Sequence, residues 1–555
     1  MRRPRASTLA VAAGFLIALG YVLWLLSPRF GIPGPSAVDD WNGASHGVAS
    51  LDDLLGPFFE SPVQRFRPGF GLFDYIQWHT LGAPGDMTGP NVWNALRIAL
   101  LVAAIGVVPA LVARESRPGL SPFALGALTA IPPALVATGT AIAVDLARLA
   151  PQEPPLVGAT ICGAALVLLG LDRRMAGQPL RRALVPAAIG WPLFLLGATF
   201  KEASMCFLLV APFLYLYLLE RWRERGLARS FFDPFRSRSF LVCAVALILP
   251  LLWVTFRAAT IGDEGADLYL AGAPTGAGEW GDRLRQAWNM QWASMTSSIG
   301  SPIWRALAVA LPFLALGVFL DRRRAPWLAL GLGLAAAAML VVQGLPAVVT
   351  SRYFLPTMAL LAISTSLLLA EGRAWMRWGA LAAAAILIAS GANAARDSVE
   401  VWASGEKQTS AFVAEVAALA EDGCRLHFAN IDMERAEALP RLAALRIDEI
   451  EPRCPLPGAT LVATLAGSDP GSVGPVGLWG SCRDAWRTQA MEGIWMIVRC
   501  DRLRARVDGQ ATATALELVR LIPGVGPLTR NECRERESDL SVCDRPALER
   551  ERMWP

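Results

Sequence analysis

The sequence predicts an α-helical integral membrane protein of about 11 transmembrane helices, with interfacial helices in its first outer loop and a small C-terminal extracytoplasmic α/β domain. Three observations predict it. Of 555 residues, 54% are hydrophobic and the mean hydropathy is +0.41, which produces long apolar runs that need lipid around them. Arginine clusters recur at every second connection between those runs. Six of the 9 cysteines gather beyond the last run.

The apolar runs fall near residues 8–27, 94–113, 121–143, 155–171, 183–199, 203–219, 239–258, 303–320, 326–346, 354–370 and 377–394. Each is long enough to cross a bilayer with some tilt. The first lies where a signal peptide would lie. Its apolar stretch is long and no small-residue cleavage site follows cleanly, so a retained span is expected. Pro132-Pro133 falls inside the third run and predicts a kink or an early end there.

Arginine sets the orientation. Arg2, Arg3 and Arg5 precede the first run, and Arg114 and Arg117 follow the second. Arg173, Arg174, Arg181 and Arg182 lie between the fourth and fifth runs. Arg221, Arg223, Arg225, Arg229, Arg236 and Arg238 lie between the sixth and seventh. Arg322 to Arg324 follow the eighth, and Arg373 and Arg377 follow the tenth. These connections are expected to be cytoplasmic, in a cytoplasmic (inner) membrane. The outer loops 28–92, 144–154 and 261–302 then face outward, and an odd number of spans puts residues 396–555 outside as well.

The net charge of +4 is too small to suggest a nucleic-acid footprint. The only lysines are Lys201 and Lys407, in a chain that otherwise uses arginine. In the first outer loop, Leu51–Phe59 reads as a short amphipathic helix on the interface. Trp280, Trp288 and Trp292 in the third loop either anchor it at the headgroups or stack on a sugar ring.

The chain divides into a membrane domain, 1–395, and a soluble domain, 396–555, joined by a polar linker around 396–408. Ser410–Ala420 and Met433–Leu445 read as helices; Arg425–Ile431, Thr460–Leu465 and Ile494–Arg499 read as strands. Cys424, Cys454, Cys482, Cys500, Cys533 and Cys543 form an even set in the soluble domain, which suits disulfides in an oxidising compartment. Their pairing is open. Zinc fits poorly, because no CxxC pair exists and His427 is the only histidine nearby. Cys162, Cys206 and Cys243 fall inside apolar runs and read as packing residues.

Four polar features recur at the outward mouths of the runs. They are Val38-Asp39-Asp40-Trp41, Arg65-Phe66-Arg67-Pro68, the short turn Phe200-Lys201-Glu202-Ala203-Ser204, and Ser351-Arg352-Tyr353-Phe354-Leu355-Pro356. With Asn91-Val92-Trp93-Asn94-Ala95-Leu96 leading into the second run, this ordered set resembles the glycosyltransferase C superfamily, in its bacterial and O-mannosyltransferase-like branches. The resemblance covers about residues 10–370. It implies a multi-span enzyme that takes a sugar from a polyprenyl-phosphate donor. In the O-mannosyltransferase-like branch a Glu often follows the proline of the second outer loop. Here Pro133 is followed by Ala, Leu, Val and Ala, and Asp145 is the nearest substitute.

Such a transfer needs a base for the acceptor hydroxyl, and Asp39 or Asp40 fits that role at the membrane surface. It also needs cationic or metal stabilisation of the leaving phosphate. Arg352, Lys201 and Arg67 are the candidates, with Glu202, Arg65, Tyr353 and Asp145 in support. Adjacent carboxylates can share a divalent cation such as Mg or Mn, or one can orient the other. A single displacement needs no enzyme nucleophile and predicts inversion. No nucleotide cofactor is implied.

Each residue also has a plainer role open to it. Asp39-Asp40 can cap an interfacial helix. Arg65 and Arg67 can solvate their loop. Lys201-Glu202 can be an ion pair that closes a turn. Arg352 can snorkel to the headgroups. Asp145 and Arg148 have the spacing of a local helical pair. His46 and His79 are ordinary loop histidines unless they meet the acceptor.

The expected function is membrane glycosyl transfer to an extracytoplasmic glycan, lipid or protein acceptor. Two rivals stand beside it. A transporter or flippase of a lipid-linked glycan would want ionisable residues deep inside the runs, and few are present. The other rival is a non-catalytic envelope assembly factor.

Overall fold

The computed structural model describes residues 3–32, 51, 67–77, 87–149, 151–259, 276–296, 327–343, 354–421, 425–429, 460–465, 495–501, 504–505, 511–512 and 515–522. Among these residues 8 helices are long and apolar enough to cross a membrane, and a ninth span is counted if one sharply bent helix pair is taken as one.

The helices are α1 (Arg3–Leu26), α2 (Pro68–Tyr75), α3 (Thr88–Ser116), α4 (Pro122–Ala137), α5 (Thr140–Ala147), α6 (Glu153–Met175) and α7 (Leu180–Ala198). They continue as α8 (Glu202–Glu224), α9 (Arg238–Ala259), α10 (Ala277–Thr296), α11 (Trp327–Gln343), α12 (Phe354–Glu371) and α13 (Ala374–Glu421). Ten of the expected runs therefore have a helix or a bent pair. The run at 303–320 lies outside the described residues.

Apolar side chains from α1, α3, α5, α6, α8, α11, α12 and α13 meet in one core, which includes Val22, Ile98, Ile142, Val157, Phe207, Met339, Leu360 and Val399. Enclosure separates the helices by role. The apolar window of α12 is 72% buried and that of α9 only 17%, so α12 is central and α9 turns Val242, Val245 and Leu249 toward lipid. The pair α6 and α7 packs through small residues. A Cβ added at Gly163 would collide with the backbone of Phe194, and glycine there permits the close approach.

The kink or early end expected at Pro132-Pro133 is found as an early end: α4 stops at Ala137, four residues past Pro133. Ser121 Oγ caps α4 by accepting from Ala124 N at 3.2 Å, and the helix runs through both prolines. Pro133 cannot donate to the Thr129 carbonyl. That carbonyl lies against Gly106 of α3, where a Cβ would collide with it. The bend follows at Thr138-Gly139, where α4 and α5 turn by 90°. Tyr21 and Thr138 share a hydrogen bond of 2.9 Å between their hydroxyls at that corner.

Another expectation fails. The polar stretch 396–408 is no linker: α13 is an unbroken helix of 48 residues that also contains the helix expected at Ser410–Ala420. Ala395, Val399 and Ala403 are almost wholly buried at four-residue spacing, so this stretch has an apolar stripe that mean polarity hides. Arg396 lies over the Trp24 ring at 4.9 Å and donates to the Trp24 carbonyl at 3.1 Å. Lys407 lies against Gly31.

Beyond α13 the described residues form a sheet of β1 (Arg425–Ala429), β2 (Thr460–Leu465), β3 (Trp495–Asp501) and β6 (Ala515–Ile522), in that spatial order. β1 and β2 are parallel and the other pairs antiparallel. The short β4 (Arg504–Ala505) and β5 (Ala511–Thr512) pair separately. Strands β1, β2 and β3 lie where the sequence places them; β6 was not expected. The helix expected at Met433–Leu445 lies outside the described residues, as do Cys424, Cys454, Cys482, Cys533 and Cys543. Cys500 falls in β3, opposite Thr460 and Leu516. Cys162, Cys206 and Cys243 are free thiols, in accord with packing roles.

Candidate functional site

The bundle has two polar ends. At one, Arg114 donates to Thr8 at 3.2 Å, and Arg221 pairs with Glu115 and with Asp172, the latter at 3.1 Å. Arg225 also reaches Asp172, at 3.0 Å. Arg117 donates to the carbonyls of Glu371 and Gly372 at 2.8 and 2.7 Å. The start of α1 and the ends of α3, α6, α8 and α12 therefore meet here. These are the arginine-rich connections that the sequence placed on one side.

The opposite end carries a different cluster. Helix α7 stops at Ala198, Phe200 turns into an aromatic group with Phe70 and Phe73, and Lys201 adopts an extended backbone before α8 begins. Ser204 N donates to the Lys201 carbonyl at 3.0 Å, and Ser204 Oγ donates to the Ala198 carbonyl at 2.6 Å, which fixes this turn. Gly69 N donates to the Thr199 carbonyl at 3.3 Å; a Cβ at Gly69 would collide with the Leu196 carbonyl. The start of α2 is thus pressed onto the turn, and Arg67 is carried over Glu202.

Arg67 grips Glu202 with two guanidinium nitrogens: Nε donates to Oε1 at 2.9 Å and Nη2 to Oε2 at 2.7 Å. This fork geometry is the strong form of the pair. Arg67 Nη1 also donates to Gln152 Oε1 at 3.3 Å. Lys201 Nζ donates to Glu153 Oε1 at 2.6 Å. The adjacent residues Lys201 and Glu202 thus each find a partner on a different segment, and four charges that sum to zero interlock α2, α6 and α8. Glu153 is only 3% exposed, and among the described residues its Oε2 has no hydrogen-bond partner. It stands in the first turn of α6, where the helix dipole favours a carboxylate.

Arg97 positions that carboxylate from below. Its buried guanidinium donates to the carbonyls of Arg148, Leu149 and Pro151, the last at 3.0 Å, and to Asn94 Oδ1 at 2.6 Å. One side chain therefore holds the strand of loop that leads into Gln152 and Glu153. Asp145 lies earlier, in α5, 3.5 Å from Arg148.

Of the residues singled out from the sequence, Arg67, Lys201 and Glu202 come together here, and Asp145 sits in its helical pair. Asp39, Asp40, Arg65, Arg352 and Tyr353 lie outside the described residues, as do His46 and His79. Sequence reasoning missed Gln152, Glu153 and Arg97. Glu153 was readable as an acid between Pro151 and Pro154 at the mouth of a span. Arg97 was readable as an arginine inside an apolar run. Among the described residues no group of three His, Cys, Asp or Glu is placed to hold a metal ion.

No family model and no curated protein matches the chain. Solved structures do. ArnT from Cupriavidus metallidurans bound to undecaprenyl phosphate aligns at 12% identity and a TM-score of 0.44, over 82% of this chain and 92% of that one. The archaeal oligosaccharyltransferase AglB from Archaeoglobus fulgidus, in complex with an inhibitory peptide and a dolichol-phosphate, aligns at 13% identity and a TM-score of 0.40, over 78% of this chain and 59% of that one. Both alignments lie below a TM-score of 0.5, and a likeness at this level assigns neither a family nor an activity to this chain.

Proposed function

We propose that the protein is a membrane glycosyltransferase that moves one sugar from a polyprenyl-phosphate donor to a glycan, lipid or protein acceptor on the outer face of the cytoplasmic membrane. The observation that carries the reading is the cluster of Arg67, Lys201, Glu202 and Glu153 at the end opposite the arginine-rich one. Three distant segments bring two cations and two buried or half-buried carboxylates to a single mouth of the bundle. Such a cost in desolvation is common where charge must be stabilised during a reaction.

In this reading Asp39 or Asp40 takes the proton from the acceptor hydroxyl, whose oxygen attacks the anomeric carbon while the phosphate leaves with its lipid. Lys201, Arg67 and Arg352 stabilise the departing phosphate, with Glu202, Arg65, Tyr353 and Asp145 supporting them. Inversion follows from the single displacement. A divalent cation shared by Asp39 and Asp40 belongs to the reading as a further aid to charge stabilisation. The region beyond α13 binds the acceptor or covers the cleft, and its cysteines form disulfides.

The test replaces Asp39 and Asp40 with Asn in the full chain and measures envelope glycans by mass spectrometry. Loss of one sugar by on the order of a hundredfold or more, at normal protein level, is expected. Unchanged transfer with lost export of a lipid-linked glycan would establish the transporter reading instead. Unchanged transfer and export would leave the assembly factor.

A further inference from the structure

The connection between α8 and α9 is a built object rather than a slack loop. Asp233 accepts from Arg229 N, Ser230 N and Ser230 Oγ, each at 2.7 Å, and closes the turn. Tyr215 supports it from α8: its hydroxyl donates to the Phe231 carbonyl, and its ring meets Phe231 at 5.1 Å and Phe235 at 5.2 Å. Phe240 and the fully buried Trp222 continue the aromatic stack inward. The outward side of the same turn leaves Phe232 68% exposed, with Phe231 and Phe235 at 44% and 43%. Large apolar rings held rigidly in water would be an unexplained cost.

Within residues 229–238 arginine outnumbers acid three to one. Arg223, Arg229, Arg236 and Arg238 are exposed. Of the nearby acids, Asp233 is committed to its turn and Asp172 to Arg221 and Arg225, while Glu220 and Glu224 near the end of α8 are exposed and lie outside the turn itself. Arg236 stands 3.9 Å from Asp233 with its side chain 84% exposed. Phenyl rings beside guanidiniums, at the level where two membrane helices end, match the boundary between acyl chains and phosphate headgroups.

We propose that residues 229–238 form a binding site for anionic phospholipid on the arginine-rich face, with Phe231, Phe232 and Phe235 among the acyl chains and Arg229, Arg236 and Arg238 on the headgroup phosphate. This site is separate from the cluster around Lys201 and independent of any transfer reaction. The partner is a lipid rather than free phosphate, because three exposed rings contribute nothing to binding a bare anion.

The full chain, purified in neutral detergent, would be titrated with phosphatidylglycerol or phosphatidylcholine, and retained lipid counted by native mass spectrometry. Preferential retention of phosphatidylglycerol is expected, weakened by salt. Replacing Arg229, Arg236 and Arg238 with Gln should weaken it on the order of a hundredfold, and replacing all three with Lys should restore most of it. Phe231→Ser with Phe232→Ser should weaken retention of phosphatidylglycerol without changing its salt dependence. Equal retention of both lipids, no change in the Gln variant, or full displacement by equimolar inorganic phosphate would each overturn the proposal.

Discussion

The two polar ends of the bundle handle charge in opposite ways. At the arginine-rich end guanidiniums outnumber acids, and they close helix ends by donating to carbonyls or by sharing one carboxylate, as Arg221 and Arg225 share Asp172. At the other end each cation has its own carboxylate on a different segment. An excess at a surface is a sidedness device and tolerates single losses. A largely buried set tolerates them less, because the removal of one member takes an ion pair out of a poorly solvated place.

The largest expected effect tests that difference directly. Lys201→Met should lower glycosyl transfer by on the order of a hundredfold, whereas Arg225→Gln should leave transfer within about twofold, since Arg221 still holds Asp172. A transfer assay on both variants at matched protein level decides it. Equal effects would erase the distinction between the two ends.

A smaller effect is expected beneath the balanced cluster. Arg97→Gln leaves three loop carbonyls without their donor and should cost about 3 kcal/mol. Thermal unfolding in detergent measures it. If the midpoint of unfolding is unchanged, Arg97 is not what fixes Gln152 and Glu153.

The smallest effect is a titration at the arginine-rich end. Hydrogen bonds from the backbone and side chain of Ser230 and from the Arg229 backbone hold the Asp233 carboxyl down at about 2, below its ordinary 3.8. A depressed carboxylate stabilises its turn above the ordinary value, and that stabilisation is lost as pH falls through about 2. Fluorine NMR of labelled Phe232 should therefore report a loosening between about pH 4 and 2 that is absent in Asp233→Asn. A pH-independent spectrum would mean that the carboxylate does not hold the turn.

Much of this was legible before any coordinates. Apolar runs gave ten helical positions because hydropathy over a span-length window is set by the bilayer, not by packing. Arginine placement gave the grouping of helix ends for the same reason. The failures lie where tertiary contacts decide. Pro132-Pro133 signals the interruption of this span but not its place: the freed Thr129 carbonyl lies against Gly106, a residue remote in sequence, and the turn comes at Thr138-Gly139. The stretch 396–408 is polar on average, and only the stripe of Ala395, Val399 and Ala403 reveals a packed helix. At the site, Lys201-Glu202 stood out as neighbours. Their true partners, Glu153 and Arg67, are 48 and 135 residues away, a pairing that no local pattern contains.

Helix α13 has a mechanical consequence. Its 48 residues span about 72 Å, and a bilayer core takes up only about 30 Å of that. The remainder is a stiff mast, lashed by Arg396 to Trp24 and by Lys407 to Gly31, eight residues before Asp39 in the sequence. Height and azimuth of the far end of α13 are thereby indexed to the membrane: each residue added to the mast beyond Lys407 would move Glu421 by about 1.5 Å along the helix axis and turn it through about 100°.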